Sequence, residues 1–104
     1  MITGIGERRH GVRASAAYPA TLTDQRGKMV AKGRTVNISE KGVFLLIHHG
    51  QVPSGKVLVA HLSVPSAASH GPATRTVSYS CHVVRTQMLG RLMGVAIEFN
   101  QKLA

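Results

Sequence analysis

The chain has 104 residues, 43% of them hydrophobic, which suits one small domain with a modest core. No apolar run approaches the roughly 20 residues of a membrane-spanning helix, and Cys81, the single cysteine, excludes an internal disulfide and fits a reducing cytoplasm. Thirteen Lys and Arg against four Asp and Glu leave a formal charge of +9, which favours an anionic partner such as a nucleotide, a nucleic acid or an acidic lipid.

Residues 1–7 read as a flexible lead-in to a single domain over 8–104, because Gly4 and Gly6 oppose regular structure. They lack the basic start and apolar centre of a signal peptide, which again points to the cytoplasm. Arg8-Arg9-His10-Gly11-Val12-Arg13 then places three arginines in six residues. Residues 14–22 follow as a strand with Tyr18, Ala20 and Leu22 on one face, and Pro19 marks an edge or a bulge because it cannot donate to a ladder. Asp24-Gln-Arg-Gly27 has hairpin-turn chemistry. Residues 28–38 form the returning strand, with Gly33 as the site of a bulge.

A turn centred between residues 25 and 26 would pair residue i with 51 − i, setting Arg13 opposite Ile38 and beside Asn37 and Ser39. Asn37-Ile-Ser-Glu-Lys-Gly42 itself reads as strand, polar turn, strand. Asn and Ser bond nearby backbone in such turns, and Gly permits positive φ or close approach by a ligand. Val43 to Ile47 is apolar throughout and is expected to be buried on both faces.

Residues 48–55 read as a loop. Its adjacent histidines, His48 and His49, point apart, and no Cys/His spacing completes a zinc site. Residues 56–64 form a further strand and 65–72 a loop. Residues 74–85 alternate, with Val77, Tyr79, Cys81 and Val83 on one face. A turn at 87–90 leads to a last strand whose Val95, Ile97 and Phe99 face inward. Six short strands and no helix predict an all-β fold, an antiparallel barrel or sandwich, and a barrel would also remove exposed edges.

Catalysis finds no support in this pattern. Glu7, Asp24, Glu40 and Glu98 show no pairing suited to acid–base work, and Cys81 and His82, being neighbours on a strand, face opposite ways. With two Phe, two Tyr and no Trp, the chain offers few stacking platforms for single-stranded nucleic acid. A basic barrel that binds nucleic acid, or an interaction module that binds no nucleotide, is the alternative reading.

Two motifs together are more specific than either alone. Arg9-His-Gly-Val-Arg13 before the first strand and Asn37-Ile-Ser-Glu-Lys-Gly42 between the second and third resemble the RxxxR and [D/N]xSxxG motifs of the PilZ domain. Val83-Val84-Arg85 and residues 94–99 resemble that family's last two strands, so the similarity spans residues 8–99. The resemblance implies a six-stranded barrel that acts as a bacterial receptor module for cyclic di-GMP and signals to a downstream protein partner. It implies that Arg9 and Arg13 grip phosphate and guanine while Asn37, Ser39 and Gly42 complete the pocket. Arg8 extends the cluster, a feature that in the family accompanies binding of two intercalated ligand molecules per chain. Two departures stand out. The helix that often follows the barrel is missing after Phe99, as expected of a minimal member or an excised domain. Asn37 also replaces the commoner Asp. The chemistry agrees with the resemblance, because a guanidinium presents a planar fork of donors to a phosphate or to the O6/N7 edge of guanine.

Overall fold

A computed structural model describes residues 17–52, 55–65 and 73–103. Arg8, Arg9, Arg13 and the lead-in lie outside the described residues. Within them are six strands: β1 (Pro19–Thr23), β2 (Met29–Ile38), β3 (Gly42–Gly50), β4 (Val57–Pro65), β5 (Thr74–Leu89) and β6 (Leu92–Lys102). They close into a barrel in the order β1-β2-β3-β6-β5-β4, and every neighbouring pair is antiparallel. Pairing of β1 with both β2 and β4 closes the barrel, so no strand presents a free edge. The all-β barrel expected from the strand pattern is the fold.

Alternation drives the closure. Ala20 and Leu22 on β1, Val43, Leu45 and Ile47 on β3, Leu58, Ala60 and Leu62 on β4, and Val95 and Ile97 on β6 all point into one buried cluster. β5 contributes Cys81 and Val83. Near one end of the barrel Tyr79 and Phe99 stack with ring centroids 3.9 Å apart and planes inclined by 11°, a parallel aromatic pair that adds to simple area burial. Small Ala20, Ala31 and Ala60 sit among the larger residues, as the limited bore of a six-stranded barrel requires.

Four local expectations change, the first being that β3 runs on through His48, His49 and Gly50, which had read as loop. Phe44 and Leu46 are half-buried on the outside of the barrel, so β3 alternates like its neighbours and is not buried on both faces. β5 runs through to Leu89, absorbing Gln87 and Met88, and only Gly90 and Arg91 form the turn. The β1–β2 register follows a sum of 53, as in Leu22↔Ala31 and Pro19↔Arg34, and not 51. The cause is twofold. Asp24 N–H donates to Lys28 O (2.9 Å), which centres the turn on Arg26. A bulge between Leu22 and Thr23 then leaves Val30 as an extra residue on β2. The register does slip between Lys32 and Gly33, but the extra residue is His48 on β3 rather than one on β2.

Candidate functional site

The Asn37–Gly42 segment ends β2 and starts β3, with Asn37 paired to Phe44 and Ile38 to Val43. Its turn is closed by Ser39 N–H donating to Gly42 O (2.9 Å) and by Lys41 N–H donating to Ser39 Oγ (3.3 Å). Phe99 N–H donates to Lys41 O (2.8 Å), which ties the turn to β6. Ser39 therefore uses its oxygen as a local acceptor, and its hydroxyl proton stays available for donation. The Asn37 carboxamide has no hydrogen-bond partner among the described residues. One half of a polar site is thus positioned by backbone and left with unused donors and acceptors.

Gly42 also has a role in the barrel wall. A Cβ there would meet Ile97 O at 2.1 Å, so the missing side chain lets β3 run hard against β6. The residue builds the floor on which the turn stands.

Beside this turn lies an open depression of about 580 Å³, within the size range of small-molecule sites. Its base follows one row of the ladder. Asn37 on β2 pairs with Phe44 on β3, Phe44 with Ala96 on β6, and Ala96 with Arg85 on β5. Phe44 and Ala96 supply an apolar floor, Asn37, Ser39 and Lys41 one wall, and Arg85, Val84 and Gln87 the other. Phe44 is held down because Gly94 has no side chain; a Cβ there would lie 2.6 Å from the Phe44 ring.

The electrostatics favour an anion. Lys41 and Arg85 line the depression and neither has an ion pair among the described residues. Glu98, the carboxylate on the same lining, has its Oε1 3.4 Å from His82 Nε2 on β5, an ion pair when that ring is protonated. His82 Nδ1 in turn lies 2.8 Å from Asn100 Oδ1. Among the described residues no cluster of His, Cys, Asp and Glu is suited to a metal ion.

Groups that could suggest catalysis are engaged in structure. Cys81 is fully buried and its Sγ–H donates to Leu58 O (3.4 Å). Burial pushes its thiol up to about 11, so little thiolate exists near neutrality. His61 lies between the hydroxyls of Ser78 and Thr23, each at 2.9 Å. That serine–histidine contact was not anticipated from sequence. Its third member is a threonine hydroxyl rather than the carboxylate that would orient a base.

Of the residues singled out from sequence, the structure brings Asn37, Ser39 and Gly42 together at one depression, while Arg8, Arg9 and Arg13 fall outside the described residues. Sequence reasoning missed Lys41, Phe44, Val84, Arg85 and Ala96. Lys41 was hidden inside the motif as an unassigned position. Arg85 and Ala96 needed the β5–β6 register, and both flank a hairpin that was legible.

Comparison with known proteins agrees with this architecture. The PilZ domain family model matches residues 7–104, and the chain belongs to that family. Members are receptor modules for cyclic di-GMP. Among solved structures the chain is similar to the Bacillus subtilis inhibitor of motility (MotI/DgrA), with a TM-score of 0.70 and 20% identity. That likeness covers 93% of this chain but 44% of the other, so the chain spans less than half of its neighbour's length. At this identity the likeness concerns the fold. No curated protein matches the chain.

Proposed function

We propose that this PilZ domain is a bacterial, cytoplasmic receptor that binds cyclic di-GMP in the depression beside Asn37, Ser39 and Gly42, with Arg9 and Arg13 folding over the bound ligand. The observation that carries the reading is the turn itself. Among the described residues its carboxamide and hydroxyl proton have no partner, and it borders an apolar floor flanked by cations without an ion pair there. A dianionic ligand with two flat purines suits such a surface, because the floor takes an aromatic face and the rim takes phosphate or the guanine edge. Binding immobilises residues 8–13 against the barrel and so presents a new surface to a downstream protein, a disorder-to-order device. Arg8 supplies charge for a second ligand molecule, giving two per chain at saturation.

Calorimetric titration with cyclic di-GMP, with GTP and cyclic AMP as controls, tests the reading. A dissociation constant around micromolar, about −8 kcal/mol, is expected. Arg9→Ala and Arg13→Ala should weaken binding roughly tenfold to a hundredfold, as loss of a charge-assisted hydrogen bond does. Backbone order parameters of residues 8–13 should rise on ligand addition, and Arg8→Leu should move the ratio from two towards one. No saturable heat from folded protein would sink the proposal.

A further inference from the structure

Arg85 and Asn37 occupy matching places at opposite ends of one ladder row. On β2 the register slips between Thr35 and Asn37, leaving Val36 as an extra residue. On β5 it slips between Val83 and Arg85, leaving Val84 as an extra residue. Both valines are exposed, by 37% and 54%, and both line the depression. A bulge bends its strand and re-aims the side chains around it. Two bulges facing each other across β3 and β6 therefore raise two rims around the low Phe44–Ala96 floor.

The two rims differ chemically. The β2 rim carries a neutral amide and a hydroxyl, whereas the β5 rim carries a guanidinium. Three inter-strand steps of about 4.8 Å, roughly 14 Å measured along the curved sheet, separate Asn37 from Arg85, which leaves a gap that a dinucleotide can bridge. Arg85 is exposed and without an ion-pair partner among the described residues. The carboxylate on the lining, Glu98, sits two residues along β6 from Ala96, with its Oε1 3.4 Å from His82 Nε2.

We infer that Arg85, presented by the β5 bulge, is a ligand-contacting residue of this site, where its guanidinium holds a phosphate or a purine O6/N7 edge at the rim opposite Asn37. The inference rests on the reading of the depression as a cyclic di-GMP site and adds a contact from the β5 strand to it. Arg85 holds the ligand from the barrel itself, so its contribution does not depend on the N-terminal arginine segment. Its fork can form two parallel bonds, which a lysine ammonium cannot reproduce.

The test is calorimetry with cyclic di-GMP on the wild type, Arg85→Ala, Arg85→Gln and Arg85→Lys, at about 0.15 M and about 0.5 M salt, where the screening length falls from about 8 Å to roughly 4 Å. Thermal melts verify that each variant is folded, as an exposed position allows. The expected result is a weakening of about tenfold or more for Arg85→Ala and Arg85→Gln at both salt concentrations, with Arg85→Lys restoring only part of it. In the wild type, the Arg85 Nε–H resonance, assigned by its absence from Arg85→Lys, should shift as ligand is added. Wild-type binding with both neutral variants within about twofold of it overturns the role of Arg85 and leaves the receptor reading intact. So does a loss that vanishes at high salt, which would reveal a long-range field rather than a contact. A wild type that does not bind overturns both.

Discussion

Two polar turns of this barrel use similar turn chemistry and end in opposite states. At one end, Asp24 to Lys28 joins β1 to β2; at the other, Ser39 to Lys41 joins β2 to β3. In the first, Asp24 Oδ1 accepts from the N–H groups of both Arg26 and Lys28, each at 2.9 Å. The side chain is consumed by the backbone it organises. In the second, Ser39 accepts one weak bond at 3.3 Å, and Asn37 accepts and donates none among the described residues. A turn that satisfies its own side chains is scaffold, and a turn that leaves them open is poised for a ligand. The surrounding shape follows the same division. The depression beside Asp24 is smaller, about 380 Å³, and is bordered by Gln25, Arg26, Lys56, Val57 and Leu58, without an aromatic floor like that of Phe44 in the other.

The turn glycines give the largest contrast. Gly42→Ala drives a Cβ to 2.1 Å from Ile97 O, a backbone atom with no freedom to yield. Overpacking of this kind costs typically up to about 3 kcal/mol and sometimes more, which for a domain of this size lowers Tm by roughly 4–8 °C per kcal/mol. Gly27 has φ 88°, and a Cβ there would meet nothing within 4 Å, so Gly27→Ala incurs only left-handed strain, about 1–2 kcal/mol. Thermal melts should show the greater loss for Gly42→Ala, accompanied by weakened cyclic di-GMP binding. Gly27→Ala should bind like wild type once folded. Equal melts for the two would break the distinction between a glycine needed for close packing and one needed for its backbone angle.

These contrasts also show what was legible before folding. Strand number, barrel class and the inward faces of β1, β5 and β6 follow from period-two alternation, which depends only on local residue type. The Asn37–Gly42 turn was legible for the same reason. The register of β1 against β2 was not, because Val30 bulges out and the Asp24 turn recruits Lys28, and both effects depend on hydrogen bonds that composition does not weigh. Arg85 was hidden by the Val84 bulge: simple alternation past Val83 gives no reason for the guanidinium to share a rim with Val84. Gly42 read as a residue for ligand approach, and only the β3–β6 pairing, remote in sequence, reveals Ile97 as its neighbour.

Side-chain removal sharpens the comparison at the next level. Asn37→Ala and Ser39→Ala should each weaken cyclic di-GMP binding by about 1 kcal/mol, roughly fivefold, as expected for a neutral hydrogen bond. Their melts should stay close to wild type, since neither side chain supports more than one weak backbone contact. Asp24→Ala should do the reverse, lowering Tm through loss of two backbone bonds while leaving affinity unchanged. Calorimetry and melting on the three variants decide the matter. A binding loss in Asp24→Ala equal to that in Asn37→Ala would erase the division between scaffold turn and ligand turn.

The smallest effect expected is a pH dependence confined to the scaffold turn. The N–H of Lys28, helped by that of Arg26 and by the two cationic side chains, holds the Asp24 carboxyl below its ordinary value of 3.8. A carboxylate whose folded pKa is depressed stabilises the fold above its unfolded pKa, and loses that contribution as pH falls through the folded value. The Tm difference between wild type and Asp24→Asn should therefore be constant from about pH 7 to pH 5 and shrink below about pH 4. The neutral amide of Asn37 has no charge to lose, so the corresponding difference for Asn37→Ala should stay flat across the same range. Melts at intervals through this window read both curves. If the Asp24→Asn difference held steady to about pH 3, well below the ordinary carboxylate range, the bonds at that turn would be contributing as neutral geometry alone, and charge would play no part in setting the hairpin.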